Sequence, residues 1–230
     1  MKSRHMLSAV FMMAAAMLRA DPSPAMVVQV VRTNSTDAYV AAIAKINGLV
    51  KARTGIEKYR HVWEGDFAGE NSHELFVVTE YPSAAAIYQA ADKLKDYPQV
   101  ETILAELKDL RHLGPSYAFK AVRYEGSYEG GAVFNTNVAV TDEPAYLKAL
   151  DGLKAILDAN GFKDAKVNLW RVVSGRTQST HLVVIAFPTQ LRVGELWDAI
   201  SDKGLLSDWN AGAAKIRTSL SNGSYHEITK

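Results

Sequence analysis

The chain has 230 residues, 48% hydrophobic and 22% charged, the composition of an ordinary folded protein, which excludes bulk disorder. Its 26 basic residues almost cancel 25 acidic ones, so the concentrated basic face of a nucleic-acid binder is absent and no such partner is expected. There is no cysteine, which excludes disulfides, thiolate metal sites and attachment through a lipidated cysteine.

From the N-terminus, the first segment reads as a targeting leader. Lys2, Arg4 and His5 form a basic start, and an apolar run follows from Met6 to Leu18. That run matches the central region of a signal peptide and falls short of the roughly 20 residues a spanning helix needs. Small residues allow cleavage after Ala20 or Ala25, so residues 1–25 are assigned to the leader. The mature chain is then expected in the periplasm or outside the cell, with no stable membrane anchor. Loss of residues 1–20 removes Lys2, Arg4 and Arg19 but no acid, leaving a mildly acidic protein.

Next comes a β-branched run, Val27–Arg32, that reads as a strand. Thr36 and Asp37 offer an N-cap, and Tyr39, Ile43, Ile46 and Val50 recur at helical spacing. A second strand is expected over Lys58–Glu64, a turn-rich hairpin over Gly65–Asn71, and a third strand over Glu74–Tyr81, closed by Pro82. A helix starts at Ser83, is interrupted at Pro98 and resumes over Gln99–Leu110; Gly114-Pro115 then breaks the chain ahead of a last strand, Tyr117–Tyr124. Glu125–Gly131 reads as a short flexible linker.

The second half repeats this order. Strands are expected over Ala132–Val140, Lys166–Val173, His181–Phe187 and Tyr225–Ile228, with helices from Glu143, over Val193–Ile200 and over Leu206–Ile216. Particular residues return as well: Tyr39–Ile46 as Tyr146–Leu153, Trp63 as Trp170, Phe76–Pro82 as Leu182–Pro188, and Tyr117 as Tyr225, at an almost constant spacing of about 107 residues. The chain is therefore a duplication, with units at 26–124 and 132–230 joined by 125–131. A βαββαβ unit is the ferredoxin-like split unit, whose sheet has one face covered by its own helices and one bare. A second copy on the same chain covers the bare face. The expected fold is α+β: two tandem ferredoxin-like units packed sheet to sheet as an intramolecular pseudo-dimeric α/β barrel, monomeric because it closes on itself.

This pattern resembles the dimeric α/β-barrel superfamily, which includes the antibiotic-biosynthesis monooxygenase-like domains. The likeness rests on the strand with Trp63, the hairpin, the Phe76–Pro82 strand with its small-residue helix start, and the broken helix after it. It covers nearly all of residues 26–230, in tandem. The resemblance implies a fold more than a reaction, because the superfamily holds cofactor-free oxygenases, haem-handling enzymes and proteins without known activity. Its ligand-binding members carry the cavity between sheet and helices.

Within that frame Tyr59, His61 and Trp63 alternate onto one strand face. A histidine among aromatics could orient a polar ligand group or act as a base near neutral pH. The competing reading makes His61 a half-exposed strand residue and Trp63 core filler, since no acidic partner can be placed beside the histidine. Tyr88, Trp197 and Trp209 sit at helical positions, to pack on the sheet or wall a pocket. His181 reads as a structurally satisfied strand residue, Asn135 and Asn137 share a strand face, and His112 reads as a surface residue near a helix end. The group Glu64, Asp66, Glu70 and Glu74 matches no calcium loop and reads as a solvated turn, so no metal site is expected. Gly-x-Ser-x-Gly, phosphate-cradling glycine loops and His-Glu-x-x-His are all missing, which makes serine hydrolase, nucleotide enzyme and zinc protease poor readings.

Three functions stay open. One is a small apolar ligand bound in a sheet–helix pocket of the first half, with Tyr59, Trp63 and Tyr88 as ligand-binding residues. Another is a cofactor-independent monooxygenase acting on a phenolic or polyketide-like substrate, with His61 as the catalytic base. The third is a non-catalytic structural or interaction module. No cofactor is required by the residues, and haem is left open.

Overall fold

The computed structural model describes residues 23–54, 60–69, 73–94, 97–175 and 177–229. The apolar leader run and Tyr59 lie outside the described residues. The first unit comprises β1 (Ala25–Thr33), α1 (Thr36–Thr54), β2 (His61–Phe67), β3 (Leu75–Tyr81), α2 (Ala84–Leu94), α3 (Pro98–Glu106), a 3-10 turn (Leu107–Asp109) and β4 (Arg111–Arg123). The second comprises β5 (Ala132–Val140), α4 (Glu143–Ala159), β6 (Lys166–Ser174), β7 (His181–Phe187), α5 (Gln190–Lys203), α6 (Ser207–Ala213) and β8 (Arg217–Glu227).

All eight strands form one closed antiparallel barrel in the order β1-β3-β2-β8-β5-β7-β6-β4, with β4 returning to β1. The two units meet at two hydrogen-bonded seams. At one, β2 pairs with β8 (Trp63 opposite Glu227, Gly65 opposite Tyr225); at the other, β4 pairs with β6 (Ala121 opposite Trp170). Each seam joins the second strand of one unit to the last strand of the other, so the duplication closes with pseudo-two-fold symmetry and leaves no free edge.

The period-2 pattern assigns the faces. Along β3, Leu75, Val77, Thr79 and Tyr81 are buried under the helices, while Phe76 and Val78 point into the barrel. Helical spacing does the matching work outside. Tyr39, Ile43, Ile46 and Val50 of α1 are fully buried on the first unit, and Tyr146, Leu150, Leu153 and Leu157 of α4 on the second. α4 starts where Asp142 accepts a hydrogen bond from the Ala145 backbone N–H at 3.0 Å, with Pro144 in its first turn. α5 ends at Gly204 in the left-handed conformation (φ 61°), a position that favours glycine.

Three expectations are corrected. Gly114-Pro115 does not break the chain: β4 runs through it from Arg111, which places His112 on a strand rather than a helix end. A register shift between Gln29 and Val31 absorbs the proline, and the Gln29 side-chain amide donates to the Gly114 and Pro115 carbonyls at 2.8 and 3.2 Å. The last strand begins at Arg217, not Tyr225, because pairing with β5 extends it over nine residues of that strand. The third correction concerns the linker, which is pinned rather than flexible. Tyr124 donates to Glu80 Oε2 at 2.7 Å, Asn168 holds the Glu125 N–H and the Gly126 carbonyl, Lys166 donates to the Ser127 carbonyl, and the Gly130 N–H donates to Glu227. Glycine content sets what a segment can do alone; side chains from β3, β6 and β8 decide what it does here.

Candidate functional site

Two cavities stand out among the described residues. One, of about 900 Å³, is the lumen of the barrel. The other, of about 550 Å³, lies between the sheet and the helices of the second unit. In the first unit the corresponding layer is filled by Tyr39, Ile43, Ile46, Val50 and Leu107, each no more than 1% exposed. The expected first-unit pocket is therefore corrected: the sheet–helix cavity belongs to the second unit.

His61 and Trp63 do share a face, but it is the face turned into the barrel, since they pair with Val78 and Phe76. Trp63 lines the lumen, and its indole N–H is buried without a hydrogen-bond partner among the described residues. His61 lines neither cavity. Its Nδ1 lies 3.0 Å from Glu227 Oε1, and the other oxygen of that carboxylate accepts the Gly130 N–H at 2.8 Å. So an acidic partner exists, supplied by β8 from 166 residues away. Its counterpart Asn168 grips the same linker at Glu125 and Gly126, so both positions serve to hold the crossing segment.

Tyr88 is 75% exposed and lines neither cavity. Ile87, Ala90 and Leu94 form the inward stripe of α2, and Tyr88 sits one residue, or about 100°, off it. As a ligand wall or core residue it is corrected. His181 is satisfied as expected, with Nε2 2.7 Å from Glu143 Oε2 and Nδ1 2.8 Å from Thr180 Oγ1. Of the acidic hairpin group, Glu74 pairs with Arg32, Asp66 pairs with His226 and Gln190, and Glu70 lies outside the described residues. Asn135 and Asn137 both face the lumen.

The sheet–helix cavity is walled by Phe134 of β5, Val183 and Ile185 of β7, Tyr146 of α4, Trp197 of α5 and Trp209 of α6. Into it β8 places Arg217, only 8% exposed. Its Nη1 donates to Ser219 Oγ at 2.8 Å and its Nη2 to Asn210 Oδ1 at 2.7 Å, both neutral acceptors. The guanidinium lies 4.7 Å from the Trp209 ring centre and 5.7 Å from that of Tyr146. No carboxylate among the described residues pairs with it, and its Nε–H has no acceptor. Two further buried groups line this cavity: the Tyr146 hydroxyl, which interacts with the Arg217 guanidinium, and the Trp197 indole N–H, which has no partner among the described residues. Burial pushes the Tyr146 hydroxyl up to about 12, against the pull of nearby Arg217, so at neutral pH it keeps its proton. A tyrosine hydroxyl beside Arg217, an indole N–H without a partner and a positive charge without a carboxylate among the described residues therefore line one aromatic pocket. Its lining holds no histidine, methionine or cysteine, and its tyrosine resists ionisation, so the donor set does not fit haem. Among the described residues no group of three or more metal-ligating side chains occurs.

Sequence reasoning missed Arg217 and Tyr146 as site residues. Tyr146 was visible as the repeat of Tyr39, a core residue. Arg217 stands beside Ile216 in what reads as a helix end, with no periodic signal of burial. The tertiary fold alone opposes it to aromatics from three helices.

No family model matches the sequence, and no curated protein matches it. The fold is similar to that of a candidate monooxygenase from Fusobacterium nucleatum (TM-score 0.56, 11% identity, covering 90% of this chain and 93% of that one). It is also similar to an anthrone oxidase-like protein (TM-score 0.55, 12% identity, 91% and 93% covered). A third likeness is to a haem-binding protein from Thermus thermophilus (TM-score 0.54, 8% identity, 90% and 91% covered). At these identities the likeness carries the fold: two ferredoxin-like units forming the α/β barrel, here in tandem.

Proposed function

We propose that the protein binds a small, largely apolar molecule bearing an anionic group, such as an aromatic carboxylate, in the sheet–helix cavity of the second unit. The observation that carries this reading is the buried Arg217 guanidinium, which has neutral hydrogen-bond partners and no counter-charge. An isolated charge is costly to bury, and a ligand anion offsets that cost while using the idle Nε–H. Tyr146 and Trp197 then donate to the same polar head, and Phe134, Trp209 and Ile185 enclose the apolar body.

The test is titration with 2-naphthoate and its neutral isostere 2-naphthamide, followed by calorimetry. The expected result is tighter binding of naphthoate by tenfold or more, a preference lost in Arg217→Met. In the absence of ligand that variant should melt at least as high as the parent, because it removes an unpaired buried charge. Equal affinity for the two compounds, or an unchanged preference in Arg217→Met, would overturn the reading.

Oxidation of the guest by dioxygen is the second reading, favoured by the fold shared with a candidate monooxygenase and an anthrone oxidase-like protein. His61 lines neither of the two cavities, so this reading takes its base from another group. Oxygen uptake with a hydroxynaphthoate as substrate separates turnover from carriage.

Export belongs to the proposal as well, supported by the basic start and the apolar run 6–18. Cleavage after Ala20 suits the fold better than cleavage after Ala25. The Pro24 carbonyl accepts from the Ala121 N–H at 2.8 Å, and Ala25 is 1% exposed within β1. The N-terminal sequence of protein recovered from the periplasmic fraction decides this.

A further inference from the structure

The geometry points to a second binding site, in the barrel lumen, for a neutral and mainly apolar molecule carrying both a hydrogen-bond acceptor and a hydrogen-bond donor. Eight-stranded barrels are just wide enough for their inward side chains to fill. Here many of those side chains are small: Val28, Val78, Val133, Val184 and Ala186 face the lumen, and about 900 Å³ stays open between them. That volume lies in the range of small-molecule pockets.

The walls are mainly apolar, and among the polar groups that line them two buried atoms stand without a partner. The Trp63 Nε1–H and the Asn135 Oδ1 are both buried, and neither has a partner among the described residues. One is a donor and the other an acceptor, contributed by different units of the duplication. The pseudo-symmetry sharpens the point, because Asn135 of β5 stands where β1 has Val28. The neighbouring Asn137 is satisfied by Ser221 at 3.0 Å, so the lumen does supply partners to its amides where it can.

Charge is excluded from the middle of this space. Arg32 and Glu74 neutralise each other at one end, 2.7 Å apart, and the Arg32 side chain is 70% exposed, which marks that end as the rim. At the other end Glu80 accepts from Tyr124, and Tyr124, Gly126 and Ser127 of the pinned crossing segment line the lumen. Between these two ends a guest meets the Trp63 donor and the Asn135 acceptor. The sheet–helix cavity, with Arg217, selects an anion; the lumen selects a neutral molecule.

The test uses N-phenyl-1-naphthylamine, a neutral probe whose fluorescence rises in apolar surroundings, with 6-hydroxy-1-tetralone and tetralin as competitors. Binding of the probe should persist in Arg217→Met, which separates this site from the sheet–helix cavity. It should be weakened severalfold in Val184→Phe, which narrows the lumen. Hydroxytetralone should displace the probe about tenfold better than tetralin, and Trp63→Phe and Asn135→Leu should each cut that preference severalfold. These two variants replace unpartnered groups and keep the inference testable if Val184→Phe does not fold. Loss of probe binding in Arg217→Met, unweakened binding in folded Val184→Phe, or a preference untouched by Trp63→Phe and Asn135→Leu would each overturn it. Indifference of the parent protein to the two competitors would do the same, leaving water as the partner of both atoms.

Discussion

His61 shows how far a single residue can be read from its neighbours in sequence. Its alternation with Trp63 is correctly legible, because a strand has period 2 wherever it ends up. Its chemistry is not, because Glu227 reaches it from the opposite end of the chain. The pair holds the start of β2 to the C-terminal strand, and the same carboxylate holds Gly130. His61→Ala should therefore cost about 2 kcal/mol of stability in urea unfolding, since it strips a partner from a carboxylate side chain that is 1% exposed. Naphthoate affinity should be unchanged. A variant of unaltered stability that lost binding would reverse this assignment. Trp63 and Arg217 teach the complementary lesson: each looks like filler or surface in the sequence, and each carries a buried polar atom with no partner among the described residues.

At the scale of elements, α4 is tied to two strands by one carboxylate. Glu143 in its first turn accepts from Arg171 Nε on β6 at 2.7 Å and lies 2.7 Å from His181 Nε2 on β7. The Arg171 hydrogen bond, with His181 adding to it, holds the Glu143 carboxyl below its ordinary 4.5. A carboxyl that is more acidic when folded binds fewer protons than in the unfolded chain, so it stabilises above about 4.5 and loses that contribution as pH falls through its folded value. Glu143→Gln should thus be less stable than the parent at pH 7, and the gap should shrink as pH drops below 4.5. Melting temperatures across pH 3–7 measure this; parallel curves would show that the carboxylate charge contributes nothing. The crossing segment 124–131 makes the same point without charge. Asn168→Ala would orphan the Glu125 N–H and Gly126 carbonyl, costing about 2 kcal/mol and exposing the segment's amides to faster hydrogen exchange.

At the scale of the whole molecule, the duplication closes the barrel within one chain. Both seams, β2–β8 and β4–β6, lie within one chain, so closure needs no partner. A fragment of residues 23–124 would expose β2 and β4 as unpaired edges together with the lumen face of its sheet. Sedimentation should find the full-length protein monomeric and the fragment self-associated, two copies closing the seams as the duplication does. A well-folded monomeric fragment would show that the seams are dispensable.

Periodicity and repetition are local or collinear properties, so the chain carries them openly. The two units, the order of their elements, the buried stripes of α1 and α4 and the closed barrel all follow from them. The sites do not. Which side of a strand meets a cavity depends on how well the residues opposite fill the space, and that volume balance differs between two units of the same pattern. The first unit fills its sheet–helix layer with Tyr39, Ile43 and Ile46, whereas the second leaves room beside Tyr146, Trp197 and Arg217. These last three come from α4, α5 and β8, and only closure of the fold sets an uncompensated charge among aromatic rings. The sequence alone determined the barrel; packing decided where it is hollow.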